Sequence, residues 1–306
     1  MLTPAKATGL GLIAIGLWAC ITAALRILSS SLPVLGALAL IYSLGTILQL
    51  WLGGWPKLKS FPRLYLVIGA ILFVSYELCM SLSVGFAISN QQAIEVSMLN
   101  YLWPALTVWF AILSEKRLGH VGLYIGIILC LFGELLVVGQ GHISFAMLLS
   151  HLASNPFSYI LATTGAVLWA LYCVLTKHLA KGHDGIVFFF MLVALSLWIQ
   201  YALSAEAAFS MAMFSPSLLG YLALAAVAMG GGYAAWNKAL LNGNVTVLAI
   251  FSYFIPVFSA LIAAWQLGVA LSWPFWQGCL FISLGSVLCW WVTRGRREQA
   301  PVASVS

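Results

Sequence analysis

Glu95-Val-Ser-Met-Leu-Asn100-Tyr101-Leu-Trp103-Pro104 is echoed further along the chain by Val247-Leu-Ala-Ile-Phe-Ser252-Tyr253-Phe-Ile-Pro256. Each stretch sets a proline deep inside a long apolar run. Each has a tyrosine three residues before that proline and a hydroxyl or amide side chain four before it. The two prolines are 152 positions apart, close to half of a 306-residue chain. A proline inside a helix frees the carbonyl four residues back and kinks the axis. In lipid that carbonyl needs a partner or a water-filled cavity. The two stretches therefore read as twin broken helices around a substrate site.

The composition places those helices in a membrane. Hydrophobic residues make up 63% of the chain and charged residues 7%, against roughly a quarter charged in soluble domains. At about 20 residues per span, a chain of this length holds roughly ten spans and leaves no room for a soluble catalytic or DNA-binding module. The net charge of +6 does not indicate nucleic acid, because the basic residues are scattered over short loops and form no stripe. Cys20, Cys79, Cys130, Cys173, Cys279 and Cys289 all fall in apolar runs with no CxxC pair. They read as small buried hydrophobes with free thiols, not as a disulfide or zinc framework. No metal or other cofactor is expected.

Ten spans fit the apolar runs: 8–28, 33–53, 64–87, 92–113, 119–139, 157–178, 184–204, 217–239, 244–265 and 273–293. The first, with Lys6 ahead of it, has the look of a signal peptide; because further spans follow, it is expected to stay as a membrane helix. Only the connection at 140–156, with His142, His151 and Pro156, is longer than a short loop; it reads as a solvated linker, with a metal-binding histidine pair as the alternative. The division is then a first five-helix repeat over 1–139, an extracytoplasmic linker over 140–156, a second repeat over 157–293 and a cytoplasmic tail over 294–306. Twelve of the thirteen Lys and Arg residues fall on one side of these spans and only Arg26 on the other. By the positive-inside rule both termini are cytoplasmic. Of ten prolines, only Pro104 and Pro256 lie mid-span; Pro33, Pro156, Pro216 and Pro274 sit at span starts, where a missing N–H costs little.

Sliding the chain by 152 residues brings Asn90 onto Asn242, Tyr101 onto Tyr253, Pro104 onto Pro256, Gly126 onto Gly278 and Gly133 onto Gly285. A shift of 151 brings Leu17-Trp18-Ala19 onto Leu168-Trp169-Ala170 and Arg26 onto Lys177. Five spans per half is an odd number, so the second half enters the membrane from the opposite side. The fold class expected is an all-α membrane protein of two inverted five-helix repeats around a central cavity. In secondary transporters that arrangement sets the substrate near mid-membrane and moves it by alternating access.

Aromatic residues supply the candidate site. Membrane Trp and Tyr usually form belts at the interfaces, and Trp51, Trp55, Trp198, Trp273, Trp276, Trp290 and Trp291 fit that reading. Trp18, Tyr76, Tyr101, Trp103, Trp169, Tyr172, Tyr233, Trp236 and Tyr253 lie within spans 1, 3, 4, 6, 8 and 9. As a set they suggest aromatic walls suited to a flat apolar side chain or to a cation over a ring face; singly, each is equally well a packed core residue. Asn100, Ser252 and Asn237 add hydrogen-bonding groups. Glu77, Glu95 and Glu134 are the acids inside spans, and such residues are functional candidates. Glu77 and Glu95 suit proton coupling, or in the case of Glu95 an ion pair with Arg26; Glu134, with Ser286 as its repeat position, reads as structural. Lys238 reads as a snorkelling topology signal. Gly122, Gly126 and Gly133 on span 5 and Gly278 to Gly285 on span 10 form a packing surface that joins either the two halves or two protomers.

These residues resemble the drug/metabolite transporter superfamily, in its two-repeat EamA type, and within it the YddG-type aromatic amino acid exporters of bacterial inner membranes. The similarity is carried by Gly11-Leu-Ile-Ala-Ile15, Phe73-Val-Ser-Tyr76-Glu77, Gln92-Ala-Ile-Glu95-Val, Asn100-Tyr-Leu-Trp-Pro104, Tyr233-Ala-Ala-Trp-Asn237, Gly243-Asn-Val-Thr246, Ser252-Tyr253-Phe254 with Pro256, and Phe275-Trp-Gln-Gly278. It runs from about residue 6 to 294. It implies export of aromatic amino acids, with other amino acids or aromatic metabolites as further substrates, from a cavity lined by the same six spans. The partners expected are those small molecules and the lipid bilayer, with no nucleic acid, in a monomer or weak dimer. A membrane-embedded enzyme would need a clustered catalytic set; the five histidines lie at span ends or in loops and Asp184 is the only aspartate. A sensor without transport is the third class. At Pro104 and Pro256 the expectation narrows to bent helices that act as hinges, not unwound ion-binding segments, since neighbours can re-satisfy a kinked backbone.

Overall fold

The computed structural model describes residues 3–88, 92, 96, 99–114, 120–139, 145–267 and 271–295. The described residues are helical and contain no strand. In chain order the helices are α1 Pro4–Ser31, α2 Val34–Gly53, α3 Arg63–Gly85, α4 Trp103–Ser114, α5 Val121–Gly139, α6 Phe145–Ser154, α7 Pro156–Leu179, α8 Ile186–Leu203, α9 Pro216–Asn242, α10 Val245–Ser252, α11 Ile255–Leu267 and α12 Trp273–Gly295. Seven of them (α1, α2, α3, α7, α8, α9 and α12) are long and apolar enough to cross a membrane, and the shorter apolar helices are Trp103–Ser114, Val121–Val137 and Val245–Ser259. The linker between the halves carries α6, which composition alone did not announce; His142 lies outside the described residues.

Local sequence explains most helix starts. Pro4, Pro156 and Pro216 stand in the first turn of α1, α7 and α9, where no N–H is needed and φ is already set. Thr3, Ser215 and Asn244 cap α1, α9 and α10 by accepting from the N–H of Lys6, Leu218 and Val247, which satisfies donors that have no partner inside the helix. At the start of α2 the acceptor comes from far away: the Leu35 N–H donates to both Glu206 carboxylate oxygens, at 3.1 and 3.0 Å. Glu206 thereby ties the α8–α9 connection to the positive end of α2.

Both proline stretches are interrupted at the same place. Residues 101–102 form a turn before α4, and residues 253–254 form a turn between α10 and α11. The Leu102 N–H bonds the Leu99 carbonyl at 3.1 Å, and the Tyr253 and Phe254 N–H groups bond the carbonyls of Ile250 and Phe251 at 3.4 and 3.1 Å. These are tight i→i−3 bonds, and Tyr253 keeps right-handed helical dihedrals. The backbone bends in a short 3₁₀ turn and does not unwind. Each proline then occupies the second position of the following helix.

Helices α1 and α9 pack along each other, as do α3 and α7, α2 and α8, and α5 and α12. Glycines permit the last of these crossings. A Cβ on Gly126 would sit 2.8 Å from the Gly285 carbonyl oxygen, and one on Gly133 2.7 Å from that of Gly278. The glycine faces of spans 5 and 10 are thus used within the chain. Gly133→Val is expected to force these backbones apart and to cost about 1–3 kcal/mol, read as a lower unfolding temperature in detergent. The aromatics assigned to an interface are largely outward: Trp51, Trp55, Trp273 and Trp291 are exposed. Trp198 departs from that reading, since it is partly buried and donates from Nε1 to Ser43 Oγ at 3.0 Å.

Candidate functional site

Five helices, α1, α3, α4, α7 and α9, bring rings together. Trp169, on α7, is the hub. Tyr76 and Tyr172 stack against it at centroid distances of 4.9 and 5.2 Å, and Tyr233, Phe73, Trp103 and Trp18 meet it edge-on at 5.5, 5.9, 6.1 and 6.3 Å. Trp236 closes the ring set, 5.2 Å from Trp18 and 5.6 Å from Trp103. Offset and edge-on geometries match the preference of ring quadrupoles. Trp18 reaches its place because α9 has no side chain there: a Cβ on Gly232 would lie 2.7 Å from Trp18 Nε1. Trp103 reaches its place because the turn at 101–102 restarts the helix at that residue.

Polar atoms are embedded in this cluster. Trp18 Nε1, Trp236 Nε1 and Asn100 Oδ1 are buried without a hydrogen-bond partner, a costly state for groups that would be solvated in water. Glu77 on α3 accepts from Tyr233 Oη at 2.7 Å, and Tyr42 of α2 lies close to the same carboxylate. The arrangement is a packed aromatic cluster that carries two indole donors, an amide acceptor and a carboxyl group at its edge.

Other candidate residues are placed elsewhere. Ser252 is buried and donates to its own helix, to the Ala249 carbonyl at 2.6 Å. Tyr253 is fully buried beside Cys130, Val137, Phe275 and Ile282, between α5 and α12. Its hydroxyl and Glu134 Oε1 lack hydrogen-bond partners. Glu95 and the Arg26 side chain lie outside the described residues. A cavity of about 410 Å³ between Ser31, Pro33, Glu206 and Met213 is separate from the rings. Among the described residues no group of three His, Cys, Asp or Glu side chains is placed to hold a metal.

Asn237 is fully buried and both ends of its amide are engaged. Oδ1 accepts from Tyr172 Oη at 2.8 Å, and Nδ2 donates to Asp184 Oδ1 at 2.5 Å. Asp184, in the α7–α8 turn, also accepts from the Ile186 N–H at 3.1 Å, and the Gly185 N–H donates to Tyr65 Oη at 3.0 Å. Lys177 donates to the Gly243 carbonyl at 2.8 Å, at the end of α9. This polar knot sits at the face of the bundle where α1 begins. It joins α7 to α9, and so bridges the α3–α7 pair and the α1–α9 pair. In the sequence Asp184 stands out only as the lone aspartate, at the start of a span.

Burial pushes the Asp184 carboxyl above its ordinary 3.8, while the Ile186 and Asn237 N–H bonds and the Lys238 charge pull it back. A raised acid binds its proton more tightly folded than unfolded, so its contribution to stability is complete below about 3.8 and is lost as pH rises through the raised value. Asp184→Asn removes the titration and keeps an oxygen acceptor. The wild-type minus variant stability difference is expected to fall as pH rises from about 4, measured by thermal unfolding in detergent across that range.

The comparisons agree with this architecture. The profile of the EamA-like transporter family matches residues 156–291. The aromatic amino acid exporter YddG of Salmonella typhimurium is 43% identical over 296 residues, covering 96% of this chain and 100% of that protein. The exporter of the same name from Escherichia coli is 42% identical, covering 96% of this chain and 99% of its own length. A solved crystal structure with 20% identity superposes with a TM-score of 0.80 over 97% of this chain and 100% of that one; that likeness concerns the fold alone. The chain belongs to the EamA-like transporter family. Its similarity to the two curated exporters extends through nearly its whole length.

Proposed function

We propose that this protein exports aromatic amino acids across the bacterial inner membrane by alternating access. The observation that carries the reading is the ring cluster on Trp169, drawn from both halves of the chain and set with buried polar atoms lacking partners. Trp18, Tyr76, Trp103, Trp169 and Trp236 form its walls, Asn100 supplies a polar contact, and Pro104 and Pro256 mark hinges. The names of the two curated relatives support the substrate class.

The mechanism follows from ten spans in two inverted repeats, 1–139 and 157–293, joined by the linker over 140–156, with 294–306 as a cytoplasmic tail. Support comes from the helix pairing. Span 1 packs on span 8, and their repeat counterparts, spans 6 and 3, pack on each other; spans 2 and 7 and spans 5 and 10 pair with their own counterparts. That pattern is unchanged when the halves are exchanged, as a pseudo-two-fold in the membrane plane requires. The Lys and Arg bias places both termini in the cytoplasm. Rocking of the α1–α9 pair against the α3–α7 pair would expose the ring cluster to each side in turn.

The test is flux of phenylalanine, tyrosine and tryptophan in proteoliposomes. Wild-type protein is expected to move all three, and Trp103→Ala to lose most of that flux while remaining folded. Absence of aromatic amino acid flux from wild-type liposomes would overturn the reading.

A further inference from the structure

We infer that Glu77 reads the α-ammonium group of the substrate, which makes the site selective for amines over aromatic acids. The inference rests on the aromatic export reading and adds a charge-recognition residue to it. A zwitterion that leaves water for an apolar box keeps its charge only where an opposite charge or hydrogen bonds meet it. The described acids differ in their ability to do so. Asp184 is committed to Asn237 and the Ile186 N–H. Glu206 spends both oxygens on the Leu35 N–H at the opposite face. Glu134 is buried on α5, with its neighbour Tyr253 held in the α5–α12 packing. Glu77 alone among the described acids sits on the wall of the ring cluster.

Its geometry suits the task. Tyr76, one residue before it, stacks on Trp169 at 4.9 Å. Tyr233, which donates to Glu77 Oε1, touches Trp18 and Trp169 at 5.0 and 5.5 Å. Glu77 is partly exposed, and a carboxylate has about four lone-pair positions, of which Tyr233 takes one and Tyr42 faces another. The Tyr233 bond fixes the direction of the carboxyl group. An ammonium lodged against Glu77 would have ring faces beside it, which adds cation–π attraction, while the side-chain ring of the same ligand packs among the indoles. Ser252 and Asn237 have their hydrogen-bonding groups committed in this structure, and Asn100 Oδ1 is an open but neutral acceptor, so Glu77 is the acidic group that can meet the amine at the cluster among the described residues.

The test uses purified full-length protein in detergent and three probes that share a phenyl ring: L-phenylalanine, phenethylamine and 3-phenylpropanoate. Wild type is expected to bind the two amines more tightly than 3-phenylpropanoate. Glu77→Gln should weaken both amines by at least about thirtyfold, the usual consequence of removing one partner of a buried charge pair, and leave the acid unchanged or tighter. Tyr233→Phe keeps the carboxylate and should preserve the order of the three. A wild-type preference for the acid overturns the inference whatever the variants do, and so does a Glu77→Gln protein of altered stability but unaltered preference. Aromatic amino acid flux in wild-type liposomes combined with either result removes Glu77 alone; no wild-type flux removes the export reading itself.

Discussion

Trp169→Ala is expected to abolish aromatic amino acid export and to lower stability by about 3–5 kcal/mol, as removal of a buried tryptophan does. Trp169 is 2% exposed, and its ring is the one that Tyr76, Tyr172, Phe73, Trp103, Trp18 and Tyr233 all meet. Truncation leaves a void bounded by stiff rings, and rings on separate helices relax poorly into a void. The substrate then loses its stacking surface and Trp18 loses its backing. Trp169→Phe keeps a ring at the hub and should retain part of both quantities. Thermal unfolding in detergent and flux in proteoliposomes read the two effects separately. Flux close to wild type from a folded Trp169→Ala protein would remove the ring cluster from the transport path.

Helix positions and the ring set were legible in the sequence because each is a violation of a local rule. A tryptophan such as Trp18 or Trp169 far from an interface, or a proline such as Pro104 inside an apolar run, stands out against what lipid favours. The glycine steps on spans 5 and 10 were legible as a packing surface, although not which surface they met. The destinations of Asn237, Ser252 and Tyr253 were not legible. Asn237 is held by residues 65 and 53 positions away, and no periodicity encodes such partners. Tyr253 falls within a 3₁₀ turn matched by the turn at its counterpart, so the local backbone does not foretell which helices its side chain meets. Its counterpart Tyr101 packs against the ring cluster while Tyr253 is enclosed between α5 and α12. Asp184 was hidden for a different reason: a single carboxylate at a span end looks solvated until the turn folds it under α9.

Asn237→Ala is expected to cost about 2–5 kcal/mol, because it leaves the buried Tyr172 hydroxyl without its acceptor and removes the amide donor from the part-buried Asp184 carboxyl group, which keeps only the Ile186 N–H. Its functional effect should exceed its structural one. The amide is the tie between α7 and α9, which belong to the two tightly packed pairs α3–α7 and α1–α9. If those pairs move against each other during transport, the tie must break each time the face bearing the N-terminus opens. Cys173 follows Tyr172 on α7 and is fully buried, so it reports that opening directly. A water-soluble maleimide applied from that face should label Cys173 more than about tenfold faster in Asn237→Ala, equivalent to a bias of roughly 1.4 kcal/mol toward the open form. Asp184→Asn keeps an oxygen acceptor for the amide and should accelerate labelling far less. Were Asn237 a substrate contact and nothing more, its loss would raise KM and leave Cys173 as protected as before. An equal KM with a fast-labelling Cys173 identifies the amide as a latch, which any substrate must wait for and none needs to touch.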